Sequence, residues 1–197
     1  MRAQKRAFER RGVTMKICVY CSSSKSLNER YYRLGRDFGR SLARRGHDLV
    51  YGGYGSGIMG EVARGVEESG GKITAVIPGI FDSPQFLYEG CHDVVRTADL
   101  RERKAAMERL SDGFAVLPGG IGTLDELFEV RCLQILDELH KPLGILNAFG
   151  FYAPLAEMME KCGEEGFLNY GGTSMCFFSD APSLLSALEE ALAQSHR

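Results

Sequence analysis

No stretch of this sequence comes near the roughly 20 consecutive apolar residues that a membrane-spanning helix requires, so no span is expected in its 197 residues. An excess of either charge is equally lacking: 24 Lys and Arg stand against 26 Asp and Glu, a formal net charge of −2. That balance gives no electrostatic reason to expect a nucleic-acid partner. The first 14 residues carry Arg2, Lys5, Arg6, Arg10 and Arg11 but none of the apolar core of a secretory signal. They read as a basic, disordered extension, with an Arg-rich targeting peptide as the other reading. Met15 stands directly before the first strand and offers a second translation start.

Paired cysteine motifs are lacking too. Cys18-Val19-Tyr20-Cys21 has C-x-x-C spacing, but it lies in an apolar run that reads as a strand, where residues three apart point to opposite faces. With no second pair, neither a metal nor a redox role is expected. Cys18, Cys132 and Cys176 sit in apolar stretches and are expected in the core. A reducing cytoplasm is the expected setting.

What is present is a regular alternation. Short apolar runs at Lys16–Cys21, Asp48–Tyr51, Ile73–Ile77, His92–Arg96, 114–117, Leu143–Leu146 and Met175–Phe178 read as strands. Between and after them, segments 27–45, 58–69, 99–110, 123–138, 151–164 and 182–194 carry the three-to-four-residue apolar spacing of helices, with Asp99 as an N-cap. Strands that are apolar throughout, separated by helices, predict an α/β protein: a Rossmann-like, doubly wound parallel sheet covered on both faces. Neither a linker nor a repeat interrupts residues 15–197, so they are expected to form one domain. Segment 80–90 is irregular but rich in aromatics, and reads as a lid or part of a subunit contact.

Two glycine-rich loops fall after strands, where such sheets bind ligands. Gly55-Ser56-Gly57-Ile58-Met59-Gly60 satisfies G-x-G-x-x-G formally, but the next strand ends Val76-Ile77-Pro78-Gly79, with no acid to hold an adenosine ribose. A dinucleotide is therefore disfavoured, and a mononucleotide-sized phosphate ligand fits better. The second loop, Pro118-Gly119-Gly120-Ile121-Gly122-Thr123, opens the helix that carries Asp125, Glu126 and Glu129. Free N–H groups and the positive helix end suit a phosphate and should keep Glu126 ionised. Glu126 and Glu129 share one helix face, with Asp125 turned about 100° away. An ionised carboxylate beside a ribose stabilises an oxocarbenium-like transition state or orients a water, the chemistry of glycoside hydrolysis.

The helix after Asp99 places Arg103 and Lys104 on the same stripe as Leu100, Met107 and Leu110. Either their stems pack while their heads snorkel outward, or they reach into the cleft to bind phosphate or the substrate base. Apolar residues occupy two sides of the helix after the second loop: Leu124, Leu127, Phe128 and Ile135 on one, Val130 and Leu133 on the other. That pattern predicts a homodimer.

These residues resemble a known family, the LOG-type cytokinin riboside 5′-monophosphate phosphoribohydrolases, long mislabelled as lysine decarboxylases. Pro118-Gly119-Gly120-Ile121-Gly122-Thr123-Leu124-Asp125-Glu126 matches the family signature P-G-G-x-G-T-x-x-E at every fixed position. Asp99-Leu100-Arg101-Glu102-Arg103-Lys104 resembles its D-M-H-x-R-K motif, and Tyr51-Gly52-Gly53, Ile58-Met59-Gly60, Lys141-Pro142 and Gly150-Phe151-Tyr152 extend the likeness. The resemblance implies hydrolysis of the N-glycosidic bond of a nucleoside 5′-monophosphate to free base and ribose 5-phosphate, without metal or organic cofactor. It implies Arg103 and Glu126 as the catalytic pair. Gly53, Lys104, Gly119, Gly120, Gly122, Thr123 and Glu129 would bind the substrate, with the 119–123 loop on its phosphate. It also implies a dimer with the site near the subunit interface.

The chain departs from the family pattern at Leu100-Arg101, at Cys132-Leu133-Gln134-Ile135 and over 82–90, all of which bear on the base. Isopentenyladenine nucleotide, AMP and other monophosphates stay open. A pyridoxal-phosphate lysine is not evident, which disfavours decarboxylation. The alternative reading is a non-catalytic nucleotide or molybdenum-cofactor carrier built on similar loops.

Overall fold

A computed structural model describes residues 14–81, 85–168 and 175–195; the extension at 1–13 and part of the irregular segment, 82–84, lie outside the described residues. Seven strands form one parallel sheet in the order β4-β3-β2-β1-β5-β6-β7. They are β1 (Lys16–Tyr20), β2 (Asp48–Tyr51), β3 (Ile73–Pro78), β4 (Asp93–Thr97), β5 (Gly113–Val116), β6 (Leu143–Leu146) and β7 (Phe177–Phe178). The helices are α1 (Glu29–Arg44), α2 (Gly57–Glu68), α3 (Leu100–Leu110), α4 (Ile121–Ile135), α5 (Ala153–Glu164) and α6 (Ala181–Ser195). This is the doubly wound α/β architecture that the alternation predicts.

Side-chain alternation divides the core into two layers. Ile17 and Val19 of β1, Leu49 and Tyr51 of β2 and Ala115 of β5 face one way, onto Phe38 and Leu42 of α1, Val62 and Val66 of α2 and Leu184 of α6. Cys18, Tyr20, Val50, Val76, Phe114 and Val116 face the other way, onto Met107 of α3, Leu127 and Val130 of α4 and Tyr152 before α5. Because both faces are covered, the central strands are apolar along most of their length, whereas the edge strand β4 exposes Asp93 and Arg96. Cys18 and Cys21 fall in opposite layers, and burial pushes both thiols well up from their ordinary pKa, leaving them unreactive.

Local signals set the helix starts. Asn28 caps α1 by accepting from the Arg30 N–H at 3.1 Å, and Asp99 caps α3 by accepting from the Arg101 and Glu102 N–H groups at 2.8 Å. Three expectations are corrected. Leu100, expected on the buried stripe of α3, is 46% exposed as the first residue of that helix. Cys132 is exposed on the outer side of α4, and Cys176 is exposed beside the short edge strand β7. Helix α4 begins at Ile121 and ends at Ile135, so the second glycine loop itself supplies its first turn.

The chain lays β2, β3 and β4 to one side of β1, then returns to place β5 on the other side. The reversal between β1 and β5 is the topological switch point, where loops diverge and open a crevice at the carboxyl edge.

Candidate active site

The loops along that edge are stitched together through their backbones. The Ser22 N–H donates to the Pro118 carbonyl at 3.2 Å, tying the loop after β1 to the loop after β5. The Met59 N–H donates to Ser22 O at 3.0 Å and Ser56 Oγ to Ser23 O at 2.9 Å, bringing in the loop after β2. The buried Tyr152 hydroxyl donates to Leu117 O at 2.9 Å. Tyr152 thus braces the turn that leads into α4.

At that turn, a Cβ on Gly119 would overlap the side chain of Thr123, while Gly120 and Gly122 face open space with nothing within 4 Å. Gly120 is the N-cap of α4 and brings no side chain to its first N–H groups. The result is an uncapped helix start with a bare backbone approach, suited to an anion. Thr123 is buried beneath it, and Ile121 is 84% exposed.

Glu126 lies one helical turn beyond Thr123 and is buried. Its Oε1 accepts from Arg103 Nη1 of α3 at 2.8 Å, and Arg103 Nε donates to the Val76 carbonyl of β3 at 3.0 Å. The guanidinium is therefore fixed at two edges. Its Nη2 packs against Gly52, where a Cβ would overlap it. Burial raises the Glu126 pKa above the ordinary carboxylate value, against the opposing pull of Arg103. The sequence reading assigned that control to the helix end. Glu126 lies in the second turn, where the dipole has weakened, so burial and the guanidinium govern its charge.

Lys104, next on α3, turns its ammonium to α4, 3.0 Å from Asp125 Oδ2 and paired with Glu129 as well. Burial opposes its charge, but the hydrogen bonds it donates to Glu129 and Asp125 outweigh that and raise its pKa. Asp125, turned away from Glu126 and Glu129 on the helix, is largely exposed yet makes this ion pair. Gly53 adopts a left-handed φ of 85°, and its carbonyl accepts the Tyr88 N–H at 2.9 Å.

The structure thus brings Arg103, Glu126, Thr123 and both glycine loops to one edge, with Lys104 and Glu129 paired on the α3–α4 flank. Sequence reasoning missed three contributors: Gly52 as the seat of Arg103, the Val76 carbonyl, and Tyr152. Tyr152 and Gly52 stand inside short runs that carried the resemblance, but nothing in the spacing shows what they touch.

The family model described as "Possible lysine decarboxylase" matches residues 59–188. A probable cytokinin riboside 5′-monophosphate phosphoribohydrolase of Oryza sativa subsp. japonica is 38% identical over 176 residues, covering 89% of this chain and 83% of its own. A cytokinin riboside 5′-monophosphate phosphoribohydrolase of Arabidopsis thaliana is 39% identical over 176 residues, covering 89% and 82%. Among solved structures, the molybdenum cofactor carrier protein of Chlamydomonas reinhardtii shares the fold with a TM-score of 0.70 at 21% identity, covering 92% of this chain and 99% of its own.

Proposed function

The chain belongs to the family of cytokinin riboside 5′-monophosphate phosphoribohydrolases, and from that premise we propose that it hydrolyses the N-glycosidic bond of a nucleoside 5′-monophosphate. The products are the free base and ribose 5-phosphate. The observation that carries the reading is the buried Arg103–Glu126 pair at 2.8 Å, one turn below an uncapped helix start.

In this reading the 5′-phosphate sits on the N–H groups of 119–123, with Thr123 beneath, which sets the ribose C1′ against Glu126. As the C1′–N bond breaks and its electron pair leaves with the base, the carboxylate stabilises the oxocarbenium-like centre and accepts a proton from the attacking water. The leaving base takes up a proton from solvent, and Glu126 releases the water's proton to solvent, so that overall one water is split between ribose and base. A carboxylate whose proton affinity is raised by burial suits that transfer, and Arg103 holds it in place. Lys104 and Glu129 orient α3 against α4, and Gly53 shapes the first glycine loop, after β2.

Decarboxylation, which the description of the family model suggests, fits the site poorly. Imine chemistry asks for an amine that loses its proton readily, whereas Lys104 is held as an ammonium by two carboxylates.

We further propose a cytoplasmic homodimer. Reduced thiols in both core layers suit a reducing compartment. For the dimer, the outward side of α4 opens on an apolar groove of about 410 Å³ lined by Phe128, Cys132 and Ile135, Met159 of α5 and Phe177 of β7. Leu136 and Met158 are also exposed. Light scattering checks the dimer, and a monomeric mass at micromolar concentration refutes it. Among the described residues no helix is long and apolar enough to cross a membrane.

The deciding experiment incubates the protein with AMP, isopentenyladenosine monophosphate and other nucleoside monophosphates and assays free base. Glu126→Ala is expected to abolish release while keeping a cooperative thermal transition. Binding without release would favour a carrier, and release by Glu126→Ala at the wild-type rate would remove Glu126 from the mechanism.

A further inference from the structure

Segment 80–90 reads in the sequence as a lid or a subunit contact, and the described part of it does something more specific. Residues 86–88 zip onto the loop after β2. The Gly55 N–H donates to Phe86 O and the Tyr88 N–H to Gly53 O, both at 2.9 Å, with Tyr54 and Leu87 as an antiparallel bridge pair between them. This pairing fixes three aromatic rings at the edge of the crevice. Tyr54 stacks on Phe86 with centroids 5.3 Å apart and planes at 27°, and Phe81 meets Tyr54 edge-on at 5.7 Å and 79°. None of the three is fully buried, and Phe86 is 37% exposed.

Their place relative to the reacting pair gives the cluster its meaning. Arg103 Nη1 holds Glu126 while Nη2 rests on Gly52, two residues before Tyr54. The charge of Arg103 reaches the Tyr54 phenol and opposes the upward push of burial on its pKa. From one end of the edge to the other, the order is therefore an anion site at 119–123, the Arg103–Glu126 pair, then an aromatic cluster. A nucleoside monophosphate has its phosphate, glycosidic carbon and flat base in that same order.

We propose that Tyr54, backed by Phe86 and Phe81, is the stacking shelf for the substrate's nucleobase. The assignment rests on the phosphate and ribose placement of the proposed function. Bases stack on aromatic side chains through their π-faces, and the wider purine rings overlap such a shelf more than pyrimidines do. The pairing of the two loops holds the ring in place before ligand arrives.

The test measures binding by calorimetry, separately from turnover, with AMP, GMP, CMP, UMP and ribose 5-phosphate as probes of wild type, Tyr54→Ala and Tyr54→Phe. Tyr54→Ala is expected to weaken AMP and GMP by about tenfold or more. The same variant is expected to leave ribose 5-phosphate, which has no base, at wild-type affinity. Tyr54→Phe keeps the π-face and is expected to bind the purine nucleotides as wild type does. Unchanged purine affinity in Tyr54→Ala overturns the proposal. So does an equal loss for ribose 5-phosphate, because Tyr54 would then only brace the loop. If wild type releases no base yet Tyr54→Ala selectively loses purine binding, the hydrolase reading fails and the shelf stands.

Discussion

Gly52→Ala is the sharpest test of how the reacting pair is held. The φ of Gly52 lies outside the left-handed region, so alanine suits the backbone there, unlike at Gly53. Whatever the substitution does must come from the methyl group. That methyl would lie well inside 3.0 Å of Arg103 Nη2, 3.4 Å from Cζ and 3.2 Å from Met59 Sδ. The tip of an arginine usually swings away cheaply, but this one is tied at Nε to Val76 O and at Nη1 to Glu126 Oε1.

Restoring ordinary contact asks the guanidinium to withdraw by roughly 1 Å, which breaks or badly stretches the 2.8 Å bond to Glu126. A hydrogen bond between charged groups contributes about 1.5–3 kcal/mol. If that much is lost from the transition state, kcat/KM falls about 10- to 150-fold. The assay is base release with Gly52→Ala alone and on an Arg103→Ala background, with thermal midpoints recorded for all four proteins. The double-mutant cycle isolates the contact: once Arg103 is gone, alanine at 52 meets only Met59 and costs little more. Wild-type kcat/KM in Gly52→Ala, or equal losses on both backgrounds, refutes the claim that Gly52 seats Arg103.

Tyr152→Phe strips the hydroxyl from the buried Leu117 carbonyl, leaving that acceptor without its side-chain donor at a cost of about 1–3 kcal/mol. Its KM for nucleoside monophosphates is expected to rise more than its kcat falls, and inhibition by inorganic phosphate to weaken; an unchanged KM counts against Tyr152 as the brace of the loop. The acid limb of kcat/KM is expected above the ordinary glutamate value of about 4.3, because burial raises the Glu126 pKa and the proposed mechanism needs its ionised form. The same shift sets a sign for stability. With the folded pKa above the unfolded one, the folded state binds the proton more tightly, so the Glu126 contribution is present at acid pH and is lost as pH rises through the folded value. Thermal midpoints of wild type and Glu126→Gln across that range are expected to diverge in this sense, and parallel curves refute the raised pKa.

The fold was legible because parallel strands buried on both faces leave continuous apolar runs, and Asp99 marks the start of α3 in the letters themselves, whereas Asn28, the cap of α1, fell inside the expected helix. The second glycine loop was legible for a similar reason, since Pro118 to Thr123 combines a strand exit with a bare helix start. Contacts made across the sheet left no such trace. Gly52 looks like any loop glycine until Arg103, 51 positions later, is seen lying on it. The solvent exposure of Cys132 and Cys176 also escaped the reading, because an apolar stretch on the outer side of a helix or at a sheet edge has the composition of a core segment. Leu100 misled in a related way: helical spacing assigns a face but cannot show that the first residue of the helix is left uncovered.

A buried ion pair is weak evidence for a stabilising role, because desolvating two charges costs about what their attraction returns, and well-packed apolar residues do as well or better. Arg103 and Glu126 bridge α3 and α4 where Met107, Leu127 and Val130 already supply an apolar contact layer, so the fold does not depend on the pair for cohesion. Their placement has a direction instead: the carboxylate stands one turn below the open start of α4, and the guanidinium spans from it to Gly52 and the β3 carboxyl end. The molybdenum cofactor carrier protein of Chlamydomonas reinhardtii shares the sheet and the layering, so the architecture alone does not separate binding from catalysis. A carrier needs the edge loops to hold an anion. A carboxylate kept at raised proton affinity beside a doubly tethered cation adds nothing to holding an anionic ligand, and repels it. That added repulsion is accounted for by a reaction that builds positive charge at a ribose carbon and must remove a proton from water.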